Sequence, residues 1–287
     1  MTRQRGVALL LVVWLIALLA GLVAAFAFSA RVEHLQSRTF DAGLIAGEAA
    51  RAGAEYALTR IVETDPRLQW KPDGRPYTWA YGDAKVEIRI VDESGKIDLN
   101  AADPAVMSAL FVVLGVERQR ADRIAAAIVD WRDTDNLTQP QGGAEDPDYA
   151  EAELPYGAKD APFDTVAEVE QVLGMTPALY AKAQPFLTVY SGQMRPDQSF
   201  APGEVLQAMG VDPAPILAQR RRTGPPQPGE LADQLLGGGS GTYSIDSRAR
   251  LRDGRQATLR VVLRAGIGTV PGSAYTALRW EEGAIPR

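Results

Sequence analysis

The chain has 287 residues, 46% of them apolar, which suffices for a sizeable core and more than one folded unit. Its formal net charge is −6 and it has no cysteine, so disulfides, thiolate nucleophiles and cysteine-based zinc sites are excluded and phosphate backbones are a poor match for it. The single histidine, His34, stands just beyond an apolar run and far along the chain from any nucleophile, which leaves no ready Ser/His/Asp triad.

The run Val7 to Phe28 carries no charge and, as a helix rising ~1.5 Å per residue, is long enough to cross a bilayer. Arg3 and Arg5 precede it on a very short leader, so the positive-inside tendency puts the N-terminus in the cytoplasm and the bulk of the chain outside. A cleaved secretory signal is the competing reading, with Ala25-Phe26-Ala27 or Phe28-Ser29-Ala30 as the cut site. The apolar run exceeds the usual ~7–15 residues of such a signal, and nothing breaks the helix after it. From Ser29 to Val62 there is no proline, and Leu35, Leu44, Ile45, Ala49, Ala52, Tyr56 and Ile61 recur at spacings that place them on one helical face. Glu48, Arg51, Glu55 and Arg60 fall largely between them. The pattern predicts one long helix, apolar all round at first and amphipathic later, ending near Asp65-Pro66.

Arg5-Gly6 followed at once by this helix resembles the leader of a type IV prepilin or a type II secretion pseudopilin. The resemblance implies that a prepilin peptidase cuts between Gly6 and Val7 and that the new amino group of Val7 is methylated. Most such subunits carry a glutamate at the fifth mature position, where this chain has Leu11. A carboxylate in lipid is retained only with a partner, and a subunit at a filament tip can do without it.

After the helix, Tyr77–Tyr81 and Val86–Val91 read as the strands of a hairpin, with Val86, Ile88 and Ile90 alternating against Glu87 and Arg89. Thr242–Ile245 and Ala257–Leu263 have strand character again, around a turn at Asp253-Gly254. Between them, Ala105–Leu114, Arg118–Trp131, Thr165–Leu173 and Pro177–Pro185 read as helices. Residues 98–192 hold sixteen Asp and Glu against six Lys and Arg, a net charge of −10. The expected architecture is therefore α+β: a long N-terminal helix packed on an antiparallel sheet, with an acidic helical domain inserted between strands.

Helix pairs around Leu114-Gly115-Val116 and Val172-Leu173-Gly174-Met175 resemble helix-hairpin-helix modules of DNA-binding proteins. Glu117 after the first turn and the acidic field of the unit oppose that use, so no nucleic acid is expected as a partner.

The most specific internal feature is the acidic block of Asp130, Asp133 and Asp135, then Gly142-Gly143-Ala144-Glu145-Asp146-Pro147-Asp148-Tyr149, in which Arg132 is the only base before Glu153. Clustered carboxylates repel one another unless a cation sits among them, and calcium prefers six to eight oxygens. The block is not an EF-hand: counted from Asp133, the sixth position is Thr138 rather than glycine and the twelfth is Ala144 rather than glutamate. A solvated acidic loop without an ion is the other reading of these residues.

Asp130-Trp131-Arg132-Asp133-Thr134-Asp135, Gly143-Ala144-Glu145-Asp146 and the downstream Pro155-Tyr156 resemble the calcium-binding helical domain of the K-type minor pseudopilins of type II secretion systems. Here Ala150 stands after Tyr149 where members often have a second tyrosine. The resemblance runs from the leader through Leu263 and is loose over 194–239. It implies the pilin-like fold above and a non-enzymatic tip subunit of the periplasmic filament. The implied partners are the I- and J-type minor pseudopilins through the long helix, the major pseudopilin, the prepilin peptidase and the inner membrane. Calcium is the expected structural ion, with Asp133, Asp135, Glu145 and Asp146 as main ligands and Asp130 and Asp148 as further ones.

The expected division is a leader at 1–6, a transmembrane helix at 7–28, and a first pilin-like part at 29–97. The inserted helical domain follows at 98–192, then a connecting region at 193–240 with Pro225, Pro226 and Pro228, and a second pilin-like part at 241–287. The alternatives from other classes are a membrane-anchored periplasmic enzyme using Asp133 and Glu145 as an acid/base pair or metal holders, and a DNA receptor built on the hairpins. An open cleft at the carboxylates would favour the enzyme, and ligands closed in on themselves would favour the structural ion.

Overall fold

The computed structural model describes the backbone of residues 5–65, 67–221, 239–266 and 275–283, and the side chains of these apart from 5–8, 30, 32–42 and 221. Helix α1 runs Arg5–Ile61, 57 residues, about 85 Å at the usual rise. Its Leu9–Ser29 segment is long and apolar enough to cross a membrane and buries nothing within the chain.

The second half of α1 lies on a five-stranded antiparallel sheet. The strands are β1 (Asp73–Tyr81), β2 (Ala84–Asp92), β5 (Thr242–Arg250), β6 (Gln256–Ala265) and β7 (Tyr275–Glu282), paired in the order β1-β2-β5-β6-β7. The neighbours β2 and β5 are separated in sequence by the whole helical insertion, as the interrupted strand pattern predicts. Alternation decides the buried face: Val86, Ile88 and Ile90 meet Ile245, Ala249, Leu259, Val261 and Leu263 under α1. Pro76 is accommodated because β1 is an edge strand with a register shift between Asp73 and Pro76.

The packed stripe of α1 is Ala46, Ala49, Ala50, Ala54, Ala57, Leu58 and Ile61. This corrects part of the expected face: Ala49 and Ile61 are buried as expected, but Leu44 and Ile45 are 58% and 57% exposed, and the Leu35 side chain lies outside the described residues. Close approach explains the change, since a Cβ on Gly53 would stand 2.5 Å from Ser247 Oγ and 2.7 Å from Val86 Cγ1. A helix seated so near the sheet needs small residues beneath it. It ends at Ile61, four residues before Asp65, where Gln69 Nε2 donates to the Ile61 carbonyl at 2.9 Å and the Trp70 amide to that of Arg60 at 2.8 Å.

The insertion has its own core, from Ile97 to Ala208. Its elements are β3 (Ile97–Asp98), α2 (Pro104–Val113), α3 (Arg118–Arg132), α4 (Asp146–Glu151), α5 (Pro177–Ala183), β4 (Leu187–Thr188) and α6 (Gly203–Ala208), followed by α7 (Pro213–Arg221). Val205 and Leu206 of α6 are fully buried in this core, so the helical unit reaches beyond residue 192, into what the sequence assigns to a connecting region. The expected helix over 165–173 is a 3-10 segment, Val166–Gln171, and the C-terminal part has a third strand, β7, beyond the two named from sequence.

The two units are joined by a buried knot. Lys96 Nζ donates to Glu93 Oε1 at 2.5 Å and to Ser244 Oγ at 2.9 Å, while Thr188 Oγ1 and Ser244 Oγ donate to the same glutamate. Every oxygen of this buried carboxylate is thus engaged, which is the condition for tolerating it there.

Candidate functional site

The acidic block folds at one end of the helical unit. Asp130 is in the last turn of α3, Asp133 is its C-cap and donates its amide to the Val129 carbonyl at 3.0 Å, and Glu145 stands at the N-cap of α4. One carboxylate oxygen each from Asp133, Asp135 and Glu145 lie within 4.8 Å of one another. Two ligands on opposite sides of a calcium ion are separated by about 4.6–5.2 Å at the usual bond lengths.

The other expected ligands hold the loop. Asp148 Oδ2 accepts the Glu145 amide at 2.9 Å, and Asp146 Oδ1 accepts the Ala158 amide at 3.1 Å. Asp130, fully buried, accepts the Gln139 amide at 3.2 and 3.4 Å. A Cβ on Gly143 would overlap the Asp130 carboxylate and one on Gly157 the Asp146 carboxylate, so these glycines make room for the acids. Asp146 and Asp148 are therefore outside the group that converges.

Glu145 is 2% exposed, and neither of its carboxylate oxygens has a hydrogen-bond partner; Asp133 Oδ1 and Asp160 Oδ1 are likewise buried without one. Asp160, held at φ 52°, is a functional candidate that the sequence does not show. It lies fifteen residues beyond Glu145, and only the fold brings it close enough to act on Glu145 electrostatically.

Burial beside Asp130, Asp133, Asp160 and Asp135 pushes the Glu145 carboxyl up to about 7. Burial also raises Asp130 to about 6, against the lowering effect of the Gln139 and Ala144 amides, and it raises Asp133, helped by Asp135. Beneath lie Trp131, Tyr149, Tyr156 and Phe163, whose ring centroids are 5.8–6.4 Å apart where they meet. Arg132 forms no ion pair with the block and only weakly offsets Asp133 through space, because its guanidinium turns back to the carbonyls of Leu99 (2.6 Å) and Ala102 (3.0 Å). Orphaned buried carboxylate oxygens that converge are the donor set a hard divalent cation takes.

The hairpin of α2 and α3 turns at Gly115, φ 94°. Glu117 caps α3, accepting the amides of Gln119 and Arg120 at 3.0 Å each, and these bonds hold its carboxyl below the usual range. The helix terminus that a phosphate would use is thus filled by an anion.

At the N-terminus, Gly6 and Val7 lie in the first turn of α1, while residues 1–4 of the expected leader are outside the described residues. Leu11 is 63% exposed on the apolar half of α1.

A membrane-length helix continuing onto an antiparallel sheet, with an acidic helical unit between two neighbouring strands, defines a pilin-like α+β fold with a large insertion. Residues 86–192 match the family model described as "Type II secretion system (T2SS), protein K". Type II secretion system protein K of Pectobacterium carotovorum subsp. carotovorum is 28% identical over 207 residues, covering 65% of this chain and 63% of the relative. That of Klebsiella pneumoniae is 31% identical over 209 residues, covering 64% and 62%. The chain thus spans a little under two thirds of the length of these relatives. The crystal structure of the GspK-GspI-GspJ complex from the type 2 secretion system of enterotoxigenic Escherichia coli contains a chain with the same fold, at a TM-score of 0.61 and 18% identity, over 88% of this chain and 100% of that one. The chain is thus similar to type II secretion system protein K over its helical unit and part of the flanking sequence.

Proposed function

We propose that the chain is a minor pseudopilin at the tip of the type II secretion pseudopilus, where it starts or caps the filament. The observation that carries this reading is the helical unit of the protein K family, inserted in a sheet that rides on a membrane-length helix. In this reading α1 crosses the bacterial inner membrane once, with the N-terminus cytoplasmic and both folded units periplasmic. The prepilin peptidase cuts between Gly6 and Val7, and Val7 becomes methylated. The I- and J-type minor pseudopilins are the partners, as in the solved complex of the structural neighbour. Leu44 and Ile45, exposed on α1 between the span and the sheet, offer apolar surface for their helices. The major pseudopilin lies below.

Asp133, Asp135 and Glu145 would hold a calcium ion, with Asp160 as a further oxygen donor and Asp130 behind them. The ion would neutralise the block and tie the end of α3 to the start of α4. Both Glu145 oxygens are closed off from solvent, which disfavours an acid/base pair open to a substrate.

The test is secretion in a deletion strain complemented with this chain. Because the chain has no cysteine, single cysteines placed along residues 9–29 can report neighbours by cross-linking. We expect loss of the chain to impair secretion and cross-links to concentrate on the two other minor subunits. Leu11→Glu, which costs roughly 2.5–3.5 kcal/mol in lipid without a partner, should bring no gain. Cross-links spread evenly along the major subunit, with better secretion by the glutamate variant, would mark an ordinary shaft subunit.

A further inference from the structure

The face of the sheet turned away from α1 has a charge opposite to that of the helical unit. On β2, β5, β6 and β7 the side chains of this face include seven bases, Lys85, Arg89, Arg248, Arg250, Arg260, Arg264 and Arg279, and three acids, Glu87, Asp246 and Glu281. The acids are already engaged: Glu87 with Arg89 at 3.3 Å, Asp246 with Arg260 at 2.6 Å, and Glu281 with Arg279. Four bases remain in excess on this face, in a chain whose net charge is −6.

Two details make this more than a solvated surface. Lys85 and Arg250 are directly opposite each other across the β2–β5 pair, an arrangement that destabilises a sheet when nothing anionic lies between. Beside them, Arg248 has a buried Nε with no hydrogen-bond partner. Further along the same face a recess of about 230 Å³ is lined by Val91, Val262, Arg260 and Arg279 of the sheet and by Pro185 and Leu187 of the helical unit, with the paired Glu93 and Lys96 also at its wall. From Lys85 to Val91 the strand is about 20 Å long, the reach of a six-residue extended segment.

We propose that this face docks an acidic, extended segment of a partner protein, its carboxylates lying over Arg248, Arg250 and Lys85 and an apolar side chain entering the recess. A lipid surface fits less well, because a flat array of headgroups could meet Lys85 and Arg250 but would leave the recess beside Pro185 and Tyr190 unfilled. The docking face is distinct from the acidic site and does not depend on calcium there.

The experiment uses the full chain in neutral phosphatidylcholine nanodiscs and a labelled peptide of alternating glutamate and leucine, read by fluorescence anisotropy. We expect saturable binding that weakens roughly tenfold or more between low and high salt, as exposed charge pairs are screened. A lysine-leucine peptide should not bind. Arg248→Glu with Arg250→Glu should abolish binding, and the milder Arg248→Gln with Arg250→Gln should weaken it at least tenfold at unchanged Tm. Arg118→Glu, in the helical unit, should leave it unchanged. Retained affinity in the folded Gln variant, equal binding of the lysine peptide, or equal capture of phosphatidylglycerol vesicles would each overturn the proposal, as would salt-sensitive self-association of the chain in place of peptide binding.

Discussion

The sheet unit and the helical unit solve burial in opposite ways. Under α1 the sheet buries alanine, valine, isoleucine and leucine on a regular ladder, and the buried Glu93 nearby has a donor for each of its oxygens. The helical unit buries Glu145 with no donor at all and sets Asp133, Asp135 and Asp160 around it. The first unit pairs its buried charge from within the polypeptide, whereas the second leaves carboxylate oxygens that the proposed calcium ion would satisfy.

The largest expected effect is therefore that of calcium itself. At a free concentration one hundred times Kd, mass action stabilises the folded helical unit by about 2.7 kcal/mol. Amide hydrogen exchange of the full chain should show slower exchange over 97–209 with calcium than with a chelator, and no change over β2, β5 and β6. Asp133→Ala with Glu145→Ala should remove the response; equal responses in the two units would erase the contrast between them.

A second, smaller effect should fall on the sheet alone. Gly53→Val places side-chain atoms where Ser247 and Val86 already stand. Overpacking of this kind costs about 1–3 kcal/mol. Faster exchange over β2 and β5 with an unchanged calcium response at 97–209 is the expected pattern. A variant as stable as the parent would mean that α1 does not seat so closely.

How much of this contrast the sequence shows follows from the range of the interactions. The span in α1 is legible because no charge interrupts it, and β2 because Val86, Ile88 and Ile90 alternate. The face of α1 is misread, because large apolar residues such as Leu44 and Ile45 look like core until the closeness of the sheet is known. The segment after Thr165 looks helical, yet Glu168 spends its Oε1 on the amides of Asp164 and Thr165 and its Oε2 on Lys159, a tight 3-10 arrangement. At the site, Asp133, Asp135 and Glu145 are legible as a local cluster. Asp146 and Asp148 carry the same signature and differ only in having main-chain amides to accept, and Asp160 is brought in by the tertiary fold.

The third effect is one of sign. Glu145 titrates at about 7 in the fold against an ordinary 4.5, and Asp130 at about 6 against 3.8. A raised carboxyl pKa stabilises the fold while the group is protonated, and that stability is lost as pH rises through the folded value. Without calcium the helical unit should thus lose stability from about pH 3.8, where Asp130 begins to contribute, to about pH 7. With calcium the same ionisation creates the ligands, so stability should rise over that window. Melting curves at pH 5 and pH 8, with calcium and with chelator, check it, and parallel trends in the two conditions would contradict the coupling.

The smallest effect concerns the residue that only the fold reveals. Asp160 is close enough to act on Glu145 electrostatically, and its buried Oδ1 has no hydrogen-bond partner. Asp160→Asn keeps the shape and an oxygen while removing the charge, so the site should still bind calcium but several-fold more weakly, about 1 kcal/mol. It should also relieve part of the repulsion on Glu145, lowering the carboxyl's pKa and making the calcium-free unit slightly more stable at pH 8. The two changes have opposite signs, and a loss of packing cannot produce both. Calcium titration and chelator melting of one variant therefore separate an ion ligand from a structural aspartate. Unchanged calcium affinity, together with lower stability in chelator, would return Asp160 to a purely structural role and leave the site to Asp133, Asp135 and Glu145.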